Sequence, residues 1–254
     1  MTSRKEPELS VEEHISYLKK SSLPTVIVEG KDDIVVYRVI EKIYGPTNIS
    51  VLPVGGREAV IGIFKRRSEI DNDLFFIADK DMWCLTGVPG DFSDVQICLT
   101  HGYSLENDVI IDGNILSYMN ENEKEQFEKE LSVFLEWYII TLDRHLRSKD
   151  KKIQTHPEVI LSNIENIEDL IRLEPDEIYP VELKSKILAD PMNLVRGKSL
   201  FAVLIRQLSY KGRYARHNCL SLMEVVANSR GDRLNRIFGS VRDYFHLGQE
   251  NTVV

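Results

Sequence analysis

Four acidic residues and one lysine occupy positions from which they could do chemistry together. Glu29 ends a β-branched run, Thr25-Val26-Ile27-Val28, and is followed at once by Gly30-Lys31-Asp32-Asp33. Asp79 and Asp81, two residues apart, follow a second apolar run, Leu74-Phe75-Phe76-Ile77-Ala78. Hard divalent cations take oxygen ligands, and magnesium keeps several waters besides. Glu29, Asp79 and Asp81 can therefore supply two or three oxygens to one ion. On an extended chain, carboxylates two residues apart face the same way. A metal held there would polarise a phosphodiester, generate hydroxide and stabilise a leaving oxygen. In that scheme Glu29 is a metal ligand or a general acid/base, and Glu106 is a fourth carboxylate, available to a second ion. Lys198 is a cation for the charge developing on phosphorus.

Each residue also has an ordinary reading. A strand-ending Glu or Asp commonly caps the next helix, and an isolated Asp-x-Asp is common in acidic loops. Glu106 can pair with an arginine, and Lys198 can be a surface lysine in a first helical turn. Joint placement separates the two readings: Glu-Gly after the first strand, Asp-x-Asp after the third.

The elements that must position these residues can be read from periodicity. Ser10-Val11-Glu12-Glu13 has the spacing of a capping box and predicts a helix over residues 11 to about 20. β-branched residues favour a buried strand at 25–28. Gly30 allows a sharp turn, and Asp32 or Asp33 can cap a helix carrying Val35, Val36, Val39, Ile40 and Ile43 as far as Gly45-Pro46. A second strand over 49–54 meets Gly55-Gly56-Arg57, and a helix follows with Val60, Ile61 and Phe64 as its apolar face. Twin glycines at such a turn let the backbone approach a ligand closely, or simply make a tight turn. The third strand carries Asp79 and Asp81, and the fourth is expected over 95–99, leading into His101-Gly102-Tyr103-Ser104-Leu105-Glu106-Asn107-Asp108. This β-α-β-α-β order predicts a mainly parallel sheet with right-handed crossovers, whose chemistry gathers at the carboxyl ends of its strands. Beyond residue 121, Leu131, Phe134, Leu135, Tyr138, Ile139, Leu142 and Leu146 form one helical stripe. Lys149-Asp150-Lys151-Lys152 reads as a solvated break. Four prolines over 153–195 keep the helices there short, and further helices are expected from 196, near 220–228 and over 232–246. The expectation is an α/β part, 1–115, and a helical part, 116–254, packed as one body.

The 254 residues are 43% hydrophobic and 28% charged, ordinary for a globular chain. No apolar run reaches the roughly 18 residues of a membrane span, and residues 1–8 lack the apolar core of a secretory signal; no membrane association and a cytoplasmic setting are the expectations. Cys84, Cys98 and Cys219 have no C-x-x-C spacing, so neither a zinc site nor a disulfide framework is indicated. The net charge is −8, yet residues 196–243 hold ten Lys/Arg against three Asp/Glu. An acidic front and a basic final quarter fit a metal at one end and a polyanion at the other, or helix faces dressed in solvated arginine. Within the basic quarter, Tyr210-Lys211-Gly212-Arg213-Tyr214-Ala215-Arg216-His217 interleaves aromatics with cations. Lys211, Arg213 and Arg216 can contact phosphates while Tyr214 stacks a base; alternatively, Tyr210 and Tyr214 lie on one helix face and pack.

Val28-Glu29-Gly30-Lys31-Asp32-Asp33 and Asp79-Lys80-Asp81, at this separation, resemble the two signature motifs of the TOPRIM domain. That domain is shared by type IA topoisomerases, bacterial primases, a ribosomal-RNA maturase and OLD-family nucleases. The resemblance covers roughly residues 24–112 and implies a Rossmann-like α/β fold with a helical C-terminal addition. It also implies a glutamate, Glu29, in acid/base or metal chemistry, and aspartates, Asp79 and Asp81, on Mg2+ or Mn2+. The run Tyr103-Ser104-Leu105-Glu106-Asn107, with a helical C-terminal part containing Gly197-Lys198, is similar to compact TOPRIM effectors of bacterial anti-phage systems, the AriB-type nuclease subunits of PARIS. In those systems an ABC-type ATPase holds the nuclease until a phage trigger releases it to dimerise and cut host tRNA. The implied function is a Mg2+-dependent endoribonuclease effector, active as a homodimer, with a DNA nuclease or a non-catalytic Rossmann-like binding module as alternatives. The chain length leaves no room for a topoisomerase gate, the cysteines supply no primase zinc module, and without a G-x-x-x-x-G-K-[ST] motif any ATPase must be a separate protein.

Overall fold

The computed structural model describes residues 9–44, 49–147 and 153–247. Four parallel strands, β1 (Thr25–Val28), β2 (Ser50–Pro53), β3 (Leu74–Ala78) and β4 (Ile97–Leu99), make one sheet in the order β2-β1-β3-β4. β1 and β3 are buried along their whole length, as parallel strands covered on both faces must be. Pro53, which cannot donate to a ladder, lies on an edge strand. From β1 the chain steps outward to β2, then crosses back to β3 on the other side. The sheet's switch point therefore lies between the carboxyl ends of β1 and β3, where open α/β sheets bind their ligands.

Among the described residues thirteen α-helices accompany this sheet, beginning with α1 (Val11–Leu18), α2 (Ile34–Ile43), α3 (Arg57–Lys65), α4 (Trp83–Thr86) and α5 (Leu105–Asp112). The long α6 (Glu121–Leu146) is followed by α7 (Pro157–Leu161), α8 (Ile167–Leu170), α9 (Val181–Ala189) and α10 (Pro191–Leu194). The set closes with α11 (Gly197–Leu208), α12 (Cys219–Ser229) and α13 (Asp232–Tyr244). No described helix is long and apolar enough to cross a membrane.

Strand alternation divides the core. Ile27, Leu74, Phe76 and Ile97 point to the face covered by α1 and α3, against Ile15, Leu18, Val60, Ile63 and Phe64. Val26, Val28, Phe75, Ile77 and Cys98 point the other way, into an apolar body continuous with α2, α5, α6, α11, α12 and α13. The helical part is thus packed against the sheet rather than set apart from it.

The predicted capping box at α1 is formed, with Ser10 Oγ accepting from Glu13 N and Glu13 Oε2 from Ser10 N. α6 starts the same way at Asn120 and Glu123. Several expectations are corrected. β4 begins at Ile97 because Val95 stands almost wholly in solvent. Leu146, assigned to the α6 stripe, is exposed at the end of that helix. Asp33 does not cap α2; its carboxylate turns back and accepts from Gly30 N at 2.8 Å. Tyr210 and Tyr214 share no helix face, because they lie in the loop joining α11 to α12. The expected helix end at Gly45-Pro46 and the break at 149–152 lie outside the described residues.

Candidate functional site

Glu29, Asp79, Asp81 and Glu106 all line one cavity of about 600 Å³ at the carboxyl edge of the sheet. Arg57, Trp83, Tyr103, Ser104, Arg196 and Lys198 complete much of its wall. Glu29 arrives on the residue after β1 and Asp79 on the residue after β3, so the pairing of β1 with β3 makes them neighbours. Glu29 Oε1 accepts from Asp79 N at 2.8 Å, which joins the two motifs directly.

Asp79-Lys80-Asp81 is not the extended segment expected from its spacing. β3 ends at Ala78, and Asp81 has φ 47°, a left-handed conformation uncommon for a non-glycine residue. Asp81 N donates to Tyr103 O at 2.7 Å, which holds the kink against the chain leaving β4. Both carboxylates reach the cavity, but through a turn rather than strand alternation. Asp79 Oδ1 accepts from Leu105 N at 2.9 Å, so Asp79 caps α5 from a distance. A carboxylate at the positive end of a helix is stabilised there, and the capping reading of Asp79 is realised alongside its placement in the cavity.

Glu106 is buried in the first turn of α5 and accepts from Ser104 Oγ at 2.5 Å. No arginine pairs with it among the described residues. Lys198 is half exposed, and its Nζ lies 3.7 Å from Asp32 Oδ2, above the first motif. Its position depends on Gly197: a Cβ there would stand 2.1 Å from Ser104 Oγ and 2.6 Å from Asn107 Oδ1. Only a glycine lets α11 begin against the start of α5. Asn107 Nδ2 fastens the junction by donating to Met192 O and Val195 O.

The electrostatics follow from crowding. Burial, reinforced by the charges of Asp81 and Asp33, pushes the Glu29 carboxyl up to about 8, although Asp79 N–H and Arg57 oppose the shift. Asp79 is raised by its own burial and by Glu29, Glu106 and Asp33. Burial also raises Asp33 to about 6, with Glu106 adding to the effect. Asp81 is raised by burial, while Arg57 and Arg196 pull it down.

The oxygen-only donor set suits a hard cation such as Mg2+, and so does carboxylate repulsion that a cation would relieve. Even so, no three His, Cys, Asp or Glu side chains among the described residues form a group that could hold a metal ion as they stand. Each carboxylate is drawn to a donor of its own: Glu29 to Asp79 N, Asp79 to Leu105 N, Asp81 to Arg57, and Glu106 to Ser104. The structure therefore gathers the four predicted acids around one cavity without assembling the expected metal centre.

Two residues that the sequence reading left without a role are prominent here. Arg57 Nε donates to Asp79 O at 3.1 Å and lies 3.3 Å from Asp81 Oδ2, and its guanidinium stacks 3.8 Å from the centre of the Trp83 ring. Arg57 stands directly after the twin glycines at the carboxyl end of β2, a position that could have marked it. Trp83, two residues beyond Asp81, carried no comparable signal.

Of the proposed nucleic-acid contacts, Lys211, Tyr214 and Arg216 are exposed in the α11–α12 loop. Arg213 is not available as expected. Its guanidinium pairs with Glu123 at 2.9 Å, both side chains being largely buried, and donates to Tyr118 O and Ala215 O. The loop lies at the opposite end of α11 from Lys198, about 15 Å away by helical rise from Lys198 to Leu208. No protein-family model matches the chain, and no curated protein matches it.

Proposed function

We propose that this chain is a TOPRIM-type endonuclease that hydrolyses phosphodiesters with the help of Mg2+ or Mn2+, and that its substrate is RNA, tRNA above DNA. The observation that carries the reading is the meeting of Glu29 with Asp79 and Asp81 at the β1–β3 switch point, in one cavity with Glu106 and three cationic side chains. Glu29, Asp79, Asp81 and Glu106 would hold the ion. When bound, it supplies Lewis acidity to a phosphodiester oxygen and lowers the pKa of water. The chain's own residues do the remaining work. Without the ion the Glu29 carboxyl is pushed up to about 8, and where Glu29 is not itself a ligand it can hold or accept a proton near neutral pH. Arg57, Arg196 and Lys198 set positive charge around the phosphate. Lys211, Tyr214 and Arg216 offer phosphate and base contacts farther along the strand.

Resemblance to compact anti-phage TOPRIM effectors extends the proposal: a toxic subunit held by a separate ABC-type ATPase, freed by a phage trigger and active as a homodimer. The test is side-by-side digestion of tRNA, plasmid and single-stranded DNA in Mg2+ and in EDTA. tRNA fragments are expected in Mg2+ alone, and none from Glu29→Ala protein of unchanged melting temperature. Cleavage that persists in Glu29→Ala protein would remove the proposed site.

One observation favours a second reading, a non-catalytic Rossmann-like module: each carboxylate already has a protein donor, and among the described residues no trio is arranged for a metal. A melting temperature indifferent to Mg2+ and Mn2+ would select it.

A further inference from the structure

Three cations line the cavity, and they are held in different ways. Lys198 leans on Asp32 from solvent, with its side chain 53% exposed. Arg196 reaches Ser199 Oγ at 3.4 Å. Arg57 is fixed on several sides: Nε faces Asp79 O and Asp81 Oδ2, and one face of the guanidinium lies on Trp83. Trp83 is itself backed by Phe92, with ring centres 4.6 Å apart.

What remains of Arg57 is its terminal edge. Neither Nη1 nor Nη2 has an acceptor among the described residues, and Nη2 is buried without one. A buried guanidinium N–H without a partner is costly; Nη1, equally unpartnered but not buried, is the nitrogen that an acceptor from outside the protein can reach. A guanidinium N–H makes a charge-assisted hydrogen bond to a phosphate oxygen. Space for such a group is the cavity itself, which Gly55, Gly56 and Arg57 line together.

We propose that Nη1 of Arg57, whose guanidinium is seated on Trp83 beside the Gly55-Gly56 turn, is the donor of a phosphate-binding subsite that takes a non-bridging oxygen of the backbone phosphate. This rests on the reading of the cavity as a phosphodiester site. The pairing with Asp81 holds Nε and leaves Nη1, the terminal nitrogen that is unpartnered and not buried, for the ligand. Arg57 thereby ties substrate to the same carboxylate cluster that would carry the cation.

The test is calorimetric titration of the full chain with inorganic phosphate in the presence of Mg2+, comparing the parent with Arg57→Gln and Arg57→Lys. Saturable binding by the parent is expected, weakened about tenfold to a hundredfold in Arg57→Gln, the usual loss for a charge-assisted hydrogen bond. Arg57→Lys keeps a charge but not the planar guanidinium stacked on Trp83, and its affinity falls between the two. It also answers the question if Arg57→Gln melts early. Equal affinity in parent and Arg57→Gln, or no phosphate binding by the parent, overturns the subsite. tRNA digestion by the same preparations separates this outcome from the nuclease reading. Phosphate binding through Arg57 without cleavage leaves the subsite and removes the nuclease. Cleavage with phosphate binding and KM unchanged in Arg57→Gln removes the subsite and leaves the nuclease.

Discussion

Glu29 carries the strongest consequence at the scale of single residues. Its carboxyl sits near 8 in the folded chain against 4.5 when unperturbed, and Asp33 is raised in the same sense to about 6 from 3.8. A raised folded-state value means that the native state binds the proton more tightly than the unfolded chain does. The stability this contributes is full below the unperturbed values and is lost as pH rises through the folded ones. Metal-free protein is therefore expected to melt at progressively lower temperature from pH 5 to pH 8.5, and Glu29→Gln should flatten the fall. Added Mg2+ should raise the melting temperature more at pH 8 than at pH 5.5, because only the ionised carboxylates attract it. A pH-independent melting curve in EDTA would contradict the crowding argument. Arg213 makes the opposite kind of prediction. Since it forms a largely buried pair with Glu123, Arg213→Ala is expected to cost about 3 kcal/mol in a denaturant melt, the usual penalty for stripping one partner from such a pair.

At the scale of elements, the junction of α5 and α11 decides where the cations stand. A Cβ at position 197 would collide with Ser104 Oγ and Asn107 Oδ1. Gly197→Ala should therefore destabilise the chain by about 1–3 kcal/mol, as overpacking does, and should lower cleavage further by moving Arg196 and Lys198. This junction was hidden from the sequence, because it depends on two segments about ninety residues apart meeting end to end. The four strands and most helices were legible, because β-branched runs and apolar periodicity are local signals that burial then enforces. Asp81 shows where local reasoning stopped. The spacing of Asp79 and Asp81 implied an extended chain, but the contact with Tyr103 O bends it into the left-handed region. Asp33 fared similarly: its type suits a helix cap, yet Gly30 N lies closer. Convergence of Glu29 and Asp79 could be inferred from two strand ends, while their separate engagement by backbone and arginine donors could not.

At the scale of the whole molecule, charge is divided between an acidic cavity and an exposed basic loop at the far end of α11. If a single strand spans both, Lys211→Glu with Arg216→Glu should weaken RNA binding across sequences. It should also flatten the salt dependence by about 1 to 2 units of slope, the effect of losing two phosphate contacts. Fluorescence anisotropy with labelled single-stranded RNA at several salt concentrations measures both effects, and an unchanged slope would confine substrate contacts to the cavity. The account rests most heavily on the carboxylates at the sheet edge taking up a divalent cation. Calorimetric titration of metal-free protein with Mn2+ at pH 8 addresses this directly. Saturable binding by the parent, lost in the Asp79→Asn, Asp81→Asn double variant of unchanged fold, is the predicted result; equal uptake by both proteins, or none by either, would contradict it.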